Sequence, residues 1–154
     1  MPIRVVFVCL GNICRSPMAH GLFKHMVEEA GLSDQIEVDS AGTSSYHNGE
    51  GPHPGTQEVL GEHGIHFQHA SRQLTRRDLR EADYLIALDR SNLRGISQLG
   101  YPTGEVGLLM AFAPQAGIDD VPDPYYSGGF DRVYELVKAG CEGLLAHIRQ
   151  AEGI

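Results

Sequence analysis

The order of hydrophobic and polar positions predicts strands and helices that alternate along the chain. Residues 3–8 (Ile-Arg-Val-Val-Phe-Val) form a nearly continuous β-favouring run, which is typical of a parallel strand buried on both faces. Gly11 and Asn12 interrupt this run, and apolar residues then recur at helical spacing up to Gly31, which suits a helix C-terminus. The run at 36–40 predicts a second strand, so the first forty residues predict a βαβ unit.

The remaining elements follow the same alternation less regularly. Ser16 and Pro17 predict the start of the first helix, because serine offers a capping oxygen and proline lacks an amide hydrogen. The later elements are, in chain order, a loop (41–55), a helix (56–63), a short helix with Thr75 as its cap (75–80), a strand (84–88), a helix (91–99), a weaker strand (106–110), a polar loop (113–129) and a long amphipathic helix from Phe130 to Ile148. We expect a single α/β domain over residues 1–154, with a four-stranded parallel sheet flanked by helices on both faces. Its ligand should bind at the carboxyl end of the first strand.

The composition narrows the classes of protein to which the chain can belong. With 154 residues, of which 42% are hydrophobic and 21% charged, it is typical of a globular domain and not of a disordered, collagen-like or disulfide-rich chain. Its net charge of -8 argues against nucleic-acid binding, since polyanions need a basic surface. No segment has the ~20 apolar residues of a membrane helix, and no signal peptide is recognisable. Three cysteines, an odd number, predict reduced thiols and a cytoplasmic location.

The loop after the first strand, Cys-Leu-Gly-Asn-Ile-Cys-Arg-Ser at 9–16, has the composition of an anion site. It leaves a buried strand and enters a helix, so its amides can converge on an anion beside the positive end of the helix dipole. Gly11 and Asn12 tolerate the left-handed backbone that turns N–H groups inward. Arg15 can offer two parallel donors to phosphate oxygens, and a Cys9 thiol facing the same concavity should lose its proton more readily. The loop therefore combines an oxyanion cradle with a nucleophile.

The spacing Cys-x5-Arg-Ser after an N-terminal strand, with Gly-Asn inside it, resembles the phosphate-binding loop of the low-molecular-weight protein tyrosine phosphatases. Cysteine and arginine meet at this spacing by chance often enough that the loop alone is a weak signal. Four further blocks resemble the same family in order and interval, namely Asp-Ser-Ala-Gly-Thr (39–43), His-Ala-Ser-Arg-Gln-Leu (69–74), Ala-Leu-Asp-Arg-Ser-Asn (87–92) and Asp-Pro-Tyr-Tyr (123–126). The resemblance therefore covers essentially the whole chain.

This resemblance implies a cysteine-dependent hydrolysis of phosphotyrosine and small aryl phosphates in two steps. Cys9 would attack phosphorus and form a phosphocysteine, while Arg15 and the loop amides hold the equatorial oxygens. Asp123 would protonate the departing phenolate and then take a proton from the hydrolytic water. The neighbouring Asp119 and Asp120 remain alternatives for this acid. No metal or organic cofactor is implied.

The resemblance also assigns the residues around the substrate. Those expected to bind it are the loop residues Leu10, Gly11, Asn12, Ile13, Cys14 and Ser16 and three aromatic wall residues, Tyr46, Tyr125 and Tyr126. A polar network is expected to support the loop and the thiolate, and its members are Ser40, His69 and Asp89 together with Asn12 and Ser16. The implied partners are phosphotyrosine proteins. A tyrosine kinase as a further partner stays open, and so does the choice between a monomer and a weak dimer.

Two related functions with the same loop chemistry remain alternatives. A thioredoxin-coupled arsenate reductase passes electrons through further cysteines near residues 80–90, and none is present there. A protein-arginine phosphatase usually has threonine at the position of Ile13, whose apolar side chain favours an aromatic phosphoester. Tyr46 stands where many members have tryptophan, and Pro-His-Pro-Gly at 52–55 replaces the usual pattern. These two departures leave the specificity of the Tyr46 loop open.

The histidines and the remaining cysteines have simpler interpretations. His63, His66 and His69 are three residues apart and do not keep one helix face, so no metal site is expected. Cys141 falls on the apolar stripe of the last helix and is expected in the core. Cys14 shares a loop with Cys9, which suggests a reversible disulfide between the two under oxidation.

Overall fold

The structure, a computed structural model that describes residues 1–154, is built around one parallel β-sheet. Its four strands are β1 (Ile3–Cys9), β2 (Ile36–Gly42), β3 (Tyr84–Ala87) and β4 (Glu105–Leu108). They lie side by side in the order β2-β1-β3-β4, and Val8 pairs with Ala41 on one side and Ala87 on the other. The central strand β1 is buried from Val5 to Cys9, as its unbroken apolar run predicts.

Six α-helices accompany the sheet. They are α1 (Arg15–Glu29), α2 (Pro54–Glu62), α3 (Arg76–Glu81), α4 (Arg90–Leu99), α5 (Pro124–Ser127) and α6 (Phe130–Glu152), and two 3₁₀ helices lie at Leu109–Phe112 and Pro114–Ala116. On one face, apolar residues of α1 and α6 cluster with Val5 and Phe7. On the other face, Leu79 of α3 and Ile96 of α4 pack against Val6. The expected four-stranded parallel sheet with helices on both faces is therefore confirmed. None of the helices combines the length and apolar character needed to cross a bilayer.

The first helix begins two residues earlier than expected, and Ser16 does not cap it. Cys14 occupies the cap position and makes no side-chain capping hydrogen bond. The Ser16 hydroxyl lies instead 3.0 Å from the sulfur of Cys9, so the prediction of a serine cap is wrong. The first N–H groups of α1 have no side-chain acceptor and are available to an anion.

Other helix ends follow from local capping chemistry. Thr75 caps α3 in a capping box with Asp78, as predicted, and Asp89 caps α4 in a second box with Asn92. Helix α1 ends just before Gly31, whose φ of 71° is the left-handed conformation expected of a C-terminal glycine.

Both segments predicted as irregular loops contain helical turns. Helix α2 begins at Pro54 inside the first of them, where a ring nitrogen of His53 accepts a hydrogen bond from the amide of Gly55 at 3.0 Å. The second contains α5, whose N-cap is Asp123. Proline at the first helical position explains both starts, because its missing N–H is one that a helix leaves unpaired there.

The fourth strand also ends earlier than expected, at Leu108 instead of residue 110. The next four residues, Leu109–Phe112, turn into a 3₁₀ helix that packs against α6. A Cβ atom on Gly143 would overlap the carbonyl oxygen of Phe112. Packing against α6, which the local sequence does not reveal, therefore decides where this strand stops.

Three connections converge at the carboxyl end of the sheet and create the concavity in which the candidate site lies. The N–H of Thr43, after β2, donates to the carbonyl of Cys9 at 2.9 Å. The N–H of Val121, before α5, donates to the carbonyl of Leu88, after β3, also at 2.9 Å. One pocket is thereby bordered by three segments, which are the 9–16 loop, the loop between β2 and α2 that carries Tyr46, and the loop before α5 that carries Asp123.

Candidate active site

The 9–16 loop is shaped by one left-handed residue and by hydrogen bonds from its surroundings. Asn12, with φ of 57°, is the one non-glycine residue with positive φ. The His53 amide donates to the carbonyl of Ile13 at 2.7 Å, and the Thr56 hydroxyl donates to the carbonyl of Cys14 at 3.0 Å. Gly11 does not adopt the left-handed backbone expected of it. It is needed for space, since a Cβ atom there would lie 2.9 Å from the ring of His47.

Several amides of this loop are free to bind an anion. The N–H groups of Gly11, Ile13 and Cys14 have no acceptor within the protein, and neither do those of Arg15 and Ser16 in the first turn of α1. An array of unpaired N–H groups at a helix N-terminus is the arrangement that binds phosphate. The loop can therefore hold a tetrahedral dianion.

Cys9 is the last residue of β1 and lies at the base of a pocket of about 430 Å³. Its sulfur lies 3.0 Å from the Ser16 hydroxyl oxygen and accepts a hydrogen bond from the Asn12 amide at 3.3 Å. The sulfur is therefore held in place and faces the same space as the free amides.

Arg15 is buried, with 3% of its side chain exposed, and it is held by acceptors on two sides. One of its terminal nitrogens donates to Asp89 at 2.6 Å and to the carbonyl of Val121 at 3.0 Å. The other lies 3.6 Å from the carboxylate of Asp123. Burial alone would lower the pKa of Arg15, but Cys9 and these carboxylates raise it above its ordinary value. The pocket therefore keeps a permanent positive charge beside the sulfur.

Asp123 lies at the rim of the pocket and is the only one of the three candidate acids that lines it. One of its carboxylate oxygens accepts the N–H of Tyr125 at 3.1 Å, which caps α5, and the other faces Arg15. Its side chain is 40% exposed, so it can exchange protons with solvent. Asp120 is instead paired with Arg90, and Asp119 is also outside the pocket lining.

The three predicted aromatic residues border the mouth of the pocket. Tyr46 and Tyr126 are largely exposed, and Tyr125 lies against Tyr126 with ring centroids 4.7 Å apart. His47, which was not among the predicted site residues, packs between Tyr46 at 4.8 Å and Tyr125 at 5.7 Å, measured between ring centroids. The one feature of the sequence that could have indicated this role of His47 is its position directly after the predicted wall residue Tyr46.

The side chains of Asn12 and Ser16 hydrogen-bond to each other behind the pocket, so these side chains support the loop and do not line the pocket. The side-chain nitrogen of Asn12 donates to Ser16 at 2.7 Å and to Ser40 at 3.1 Å. Its side-chain oxygen lies 2.8 Å from a ring nitrogen of His69. Asp89 does not join this network and contacts Arg15 instead.

One group of side chains has the composition of a metal site, but its donor atoms are already engaged. His20, Asp39 and His69 bring their donor atoms within 4.8 Å of one another. One oxygen of Asp39 accepts from Arg4 at 3.2 Å and from Arg72 at 3.0 Å, and the other accepts the Ser40 amide. Two guanidinium groups on the same carboxylate oppose a cation there.

The other two cysteines differ from Cys9 in their surroundings. Burial, together with the nearby Cys9 and Asp123, raises the pKa of the Cys14 thiol to about 12. Burial also raises the pKa of Cys141, which lies in the core as expected. All three cysteines are free. Cys14 and Cys141 therefore remain thiols at neutral pH.

Comparison with known proteins places this geometry in a family. The model of the low molecular weight phosphotyrosine protein phosphatases matches residues 4–152. The low molecular weight protein-tyrosine-phosphatase YfkJ of Bacillus subtilis is 45% identical over 151 residues, which cover 96% of this chain and 97% of that protein. A low molecular weight protein-tyrosine-phosphatase of Streptomyces coelicolor is 48% identical over 99% of this chain and 98% of that protein.

Solved structures agree with the sequence comparison. The crystal structure of YfkJ matches with a TM-score of 0.95 and 43% identity, over 98% of this chain and 97% of that chain. That of DARP, a Drosophila arginine phosphatase, matches with a TM-score of 0.89 and 35% identity, over 94% and 97%. On the family match and these identities, the chain belongs to the low-molecular-weight phosphotyrosine protein phosphatase family.

Proposed function

We propose that this protein hydrolyses phosphotyrosine in proteins, and small aryl phosphates, through a phosphocysteine on Cys9. The observation that carries the proposal is the position of one sulfur at the base of a pocket, hydrogen-bonded to Ser16 and Asn12 and bordered by unpaired amides. Arg15 supplies the positive charge that a phosphate dianion needs there. The family to which the chain belongs supports the same chemistry.

The first step transfers the phosphoryl group to the enzyme. The Cys9 thiolate attacks phosphorus, and an S–P bond forms as the P–O bond to the phenolate breaks. Asp123 gives its proton to the departing phenolate oxygen. The loop amides and Arg15 hold the three equatorial oxygens, on which charge is spread in the transition state.

The second step returns the enzyme to its starting state. Asp123, now a carboxylate, takes a proton from a water molecule whose oxygen attacks phosphorus. The S–P bond breaks, and inorganic phosphate leaves with the thiolate regenerated. No oxidant, reductant or metal is needed in either step.

Replacing the proposed nucleophile tests this mechanism directly. Cys9→Ser should abolish turnover of para-nitrophenyl phosphate and of phosphotyrosine peptides, because a serine hydroxyl is not ionised at neutral pH. Cys141→Ala is the matched control, since it removes a buried thiol from the core and should keep wild-type kcat. A Cys9→Ser enzyme that turns over at the wild-type rate contradicts the mechanism.

Phosphoarginine is the second candidate substrate, because DARP, an arginine phosphatase, shares the fold and 35% of the sequence. The apolar side chain of Ile13 and the tyrosines at the pocket mouth favour a flat aromatic ester over a polar guanidinium. Parallel kcat/KM measurements on peptides that differ only in phosphotyrosine or phosphoarginine distinguish the two. We expect the phosphotyrosine peptide to be preferred.

An arsenate reductase needs a cysteine relay, and the third thiol here cannot supply one. The Cys141 side chain is fully buried, and its sulfur lies 4.0 Å from the carbonyl oxygen of Ala19. Arsenate with thioredoxin as reductant should therefore give no turnover above background.

The partners and the location of the enzyme are further parts of the proposal. Its substrates are phosphotyrosine proteins, so a tyrosine kinase must supply them. Three free thiols, with Cys9 required as a thiolate, suit the reducing cytoplasm. A monomer or a weak dimer is proposed, and sedimentation at several concentrations distinguishes the two.

A further inference from the structure

His20 lies on α1 behind the pocket, and it touches the network around Asn12 without lining the site. Its ring is buried, and Nδ1 lies 2.9 Å from the hydroxyl oxygen of Ser40. The ring packs edge-on against Phe67 at 4.6 Å and against His69 at 5.1 Å. A buried imidazole with a polar partner on such a network either accepts or donates one defined proton.

The hydrogen bonds around Asn12 have a fixed direction. Its side-chain oxygen accepts the backbone N–H of Arg72 at 3.1 Å, which identifies the oxygen and orients the amide. Its side-chain nitrogen therefore donates both protons, one to Ser16 and one to Ser40. The Nε2 atom of His69, 2.8 Å from the same oxygen, must carry a proton.

The Ser40 hydroxyl is then left with one acceptor. Its oxygen receives an N–H of Asn12, and the Nε2 of His69, at 3.3 Å, cannot accept because it already carries a proton. Nδ1 of His20 is the remaining partner, so Ser40 donates to it. The proton of the neutral His20 ring then sits on Nε2.

We propose that His20, as a neutral hydrogen-bond acceptor, is a positioning residue that sets the direction of the hydrogen bonds leading to the Cys9 sulfur. With the Ser40 proton turned toward His20, the Ser40 oxygen accepts from Asn12 and locks its amide. The Ser16 oxygen accepts the other hydrogen bond from the side-chain amide of Asn12. The Ser16 hydroxyl is therefore free to donate its own hydrogen bond to the Cys9 sulfur, 3.0 Å away. The inference rests on the proposed function in one respect, the use of Cys9 as the nucleophile.

The surroundings of His20 keep it neutral in the mildly acidic range. Burial and the neighbouring His69 lower the pKa of His20 to about 3, and Lys24 on the same helix acts in the same direction. Asp39 on β2 acts in the opposite direction, and its effect is smaller than those of burial and His69. These are the titratable groups that face the ring, and Phe67 adds only apolar contact. The acceptor role is therefore maintained across the pH range in which a thiolate would be used.

The tautomer of His20 in the wild-type protein is the first test. Two-bond ¹⁵N–¹H correlation spectra of the ¹⁵N-labelled enzyme between pH 5 and 8 report which ring nitrogen carries the proton. We expect His20 to remain neutral with the proton on Nε2 throughout. A proton on Nδ1, or a charged ring within this range, overturns the proposal.

Two substitutions at the same position separate the acceptor from the packing of the ring. His20→Leu removes the acceptor, whereas His20→Asn can place an amide oxygen near the position of Nδ1. The readout is the pH midpoint of Cys9 alkylation by iodoacetamide, with the site of modification located by mass spectrometry. We expect His20→Leu to raise the midpoint by about half a pH unit, roughly a threefold loss of thiolate below it. His20→Asn should restore most of this loss, and kcat should fall in the same order with KM little changed.

Coupling to Ser40 completes the test. In a Ser40→Ala background His20→Leu should add no shift, because the hydroxyl through which it acts is gone. His25→Leu is the control, since this half-exposed histidine lies on the same helix, and it should match the wild type. Equal shifts in both backgrounds, equal losses in the two His20 variants or an unchanged midpoint in His20→Leu overturn the proposal. A wild-type enzyme without phosphotyrosine hydrolysis contradicts the proposed function, whereas an active one with another tautomer contradicts only this inference.

Discussion

Acidification from pH 7 to pH 5 is expected to destabilise this protein through His20. The ring is buried, and burial together with His69 lowers its pKa to about 3. In the unfolded chain an ordinary histidine titrates near pH 6.5. Between these two values the unfolded state binds a proton that the folded state does not, so stability falls as the pH falls.

The size of this effect follows from the two pKa values. At pH 5 the histidine of the unfolded chain is almost fully protonated, because this pH is about 1.5 units below its pKa. At about 1.36 kcal/mol per unit, His20 alone lowers the free energy of unfolding by about 2 kcal/mol between neutral pH and pH 5. Burial also lowers the pKa of His69, which adds a contribution of the same sign.

Urea unfolding at half-unit intervals from pH 7.5 to 4.5 measures this slope. Below pH 6, we expect the slope of the free energy of unfolding against pH to be smaller in His20→Asn than in the wild type by about 1.4 kcal/mol per pH unit. This difference in slope does not depend on the stability of the variant at pH 7. His25→Asn, with a half-exposed ring on the same helix, should keep the wild-type slope. A His20→Asn slope equal to that of the wild type would show that the ring is protonated in the folded state, and the reasoning would be wrong.

Three substitutions in the pocket give further expected outcomes. Asp123→Asn should lower kcat by roughly 10²-fold or more for phenyl phosphate and much less for para-nitrophenyl phosphate, whose leaving group needs no proton. An equal loss for both would move the acid to another group. Arg15→Lys should lower kcat/KM by roughly 10²-fold and weaken vanadate inhibition, because an ammonium cannot bind two oxygens in parallel. Ile13→Thr should raise the ratio of phosphoarginine to phosphotyrosine kcat/KM by about tenfold, the value of one hydrogen bond, and an unchanged ratio would remove Ile13 as a determinant.

The central part of the fold was predictable because its signals are local. The unbroken apolar run of β1 specifies a strand buried on both faces, and it lies at the centre of the sheet. Thr75 as a cap and Gly31 as a helix end follow from the backbone groups that each residue can satisfy. Such features depend only on residues that are close together in the sequence, so they can be predicted without knowledge of the fold.

The errors arise where a distant contact overrides a local preference. Ser16 has the chemistry of a cap, but its hydroxyl is engaged by Cys9 and Asn12. The end of β4 is set by the packing of Leu109–Phe112 against α6, from another part of the chain. Asp89, which was expected in the network that supports the loop and the thiolate, contacts the loop through Arg15 and not through Asn12 or the serines.

His20 shows most clearly what sequence patterns leave out. It falls among the apolar residues of α1, and nothing in its spacing distinguishes a buried polar contact from a helix-surface histidine. Its partner Ser40 is on β2, and the parallel pairing of β1 with β2 brings this serine beside Phe7 and below the loop. Only the assembled sheet reveals that the two side chains meet.

A disulfide between Cys9 and Cys14 stays a prediction, and the structure changes how fast we expect it to form. The Cys9 thiolate would attack one oxygen of hydrogen peroxide, and the O–O bond would break to give a sulfenic acid and hydroxide. The Cys14 thiolate would then attack that sulfur, forming the S–S bond as hydroxide leaves. The second step requires Cys14 to lose its proton, although burial and the neighbouring Asp123 raise the pKa of this thiol above its ordinary value.

Because the thiolate fraction of Cys14 rises tenfold with each pH unit below the raised pKa of this thiol, closure of the disulfide should accelerate about tenfold per unit between pH 6 and 9. Mass spectrometry after a brief pulse of peroxide, followed by quenching at set times, measures the bridged fraction at each pH. At low pH the slow closure leaves Cys9 exposed to further oxidation, so over-oxidised Cys9 should increase as the bridge decreases. A bridge that closes at the same rate across this range would mean that Cys14 is deprotonated before attack. Over-oxidised Cys9 without any bridge at pH 9 would mean that the two sulfurs do not meet.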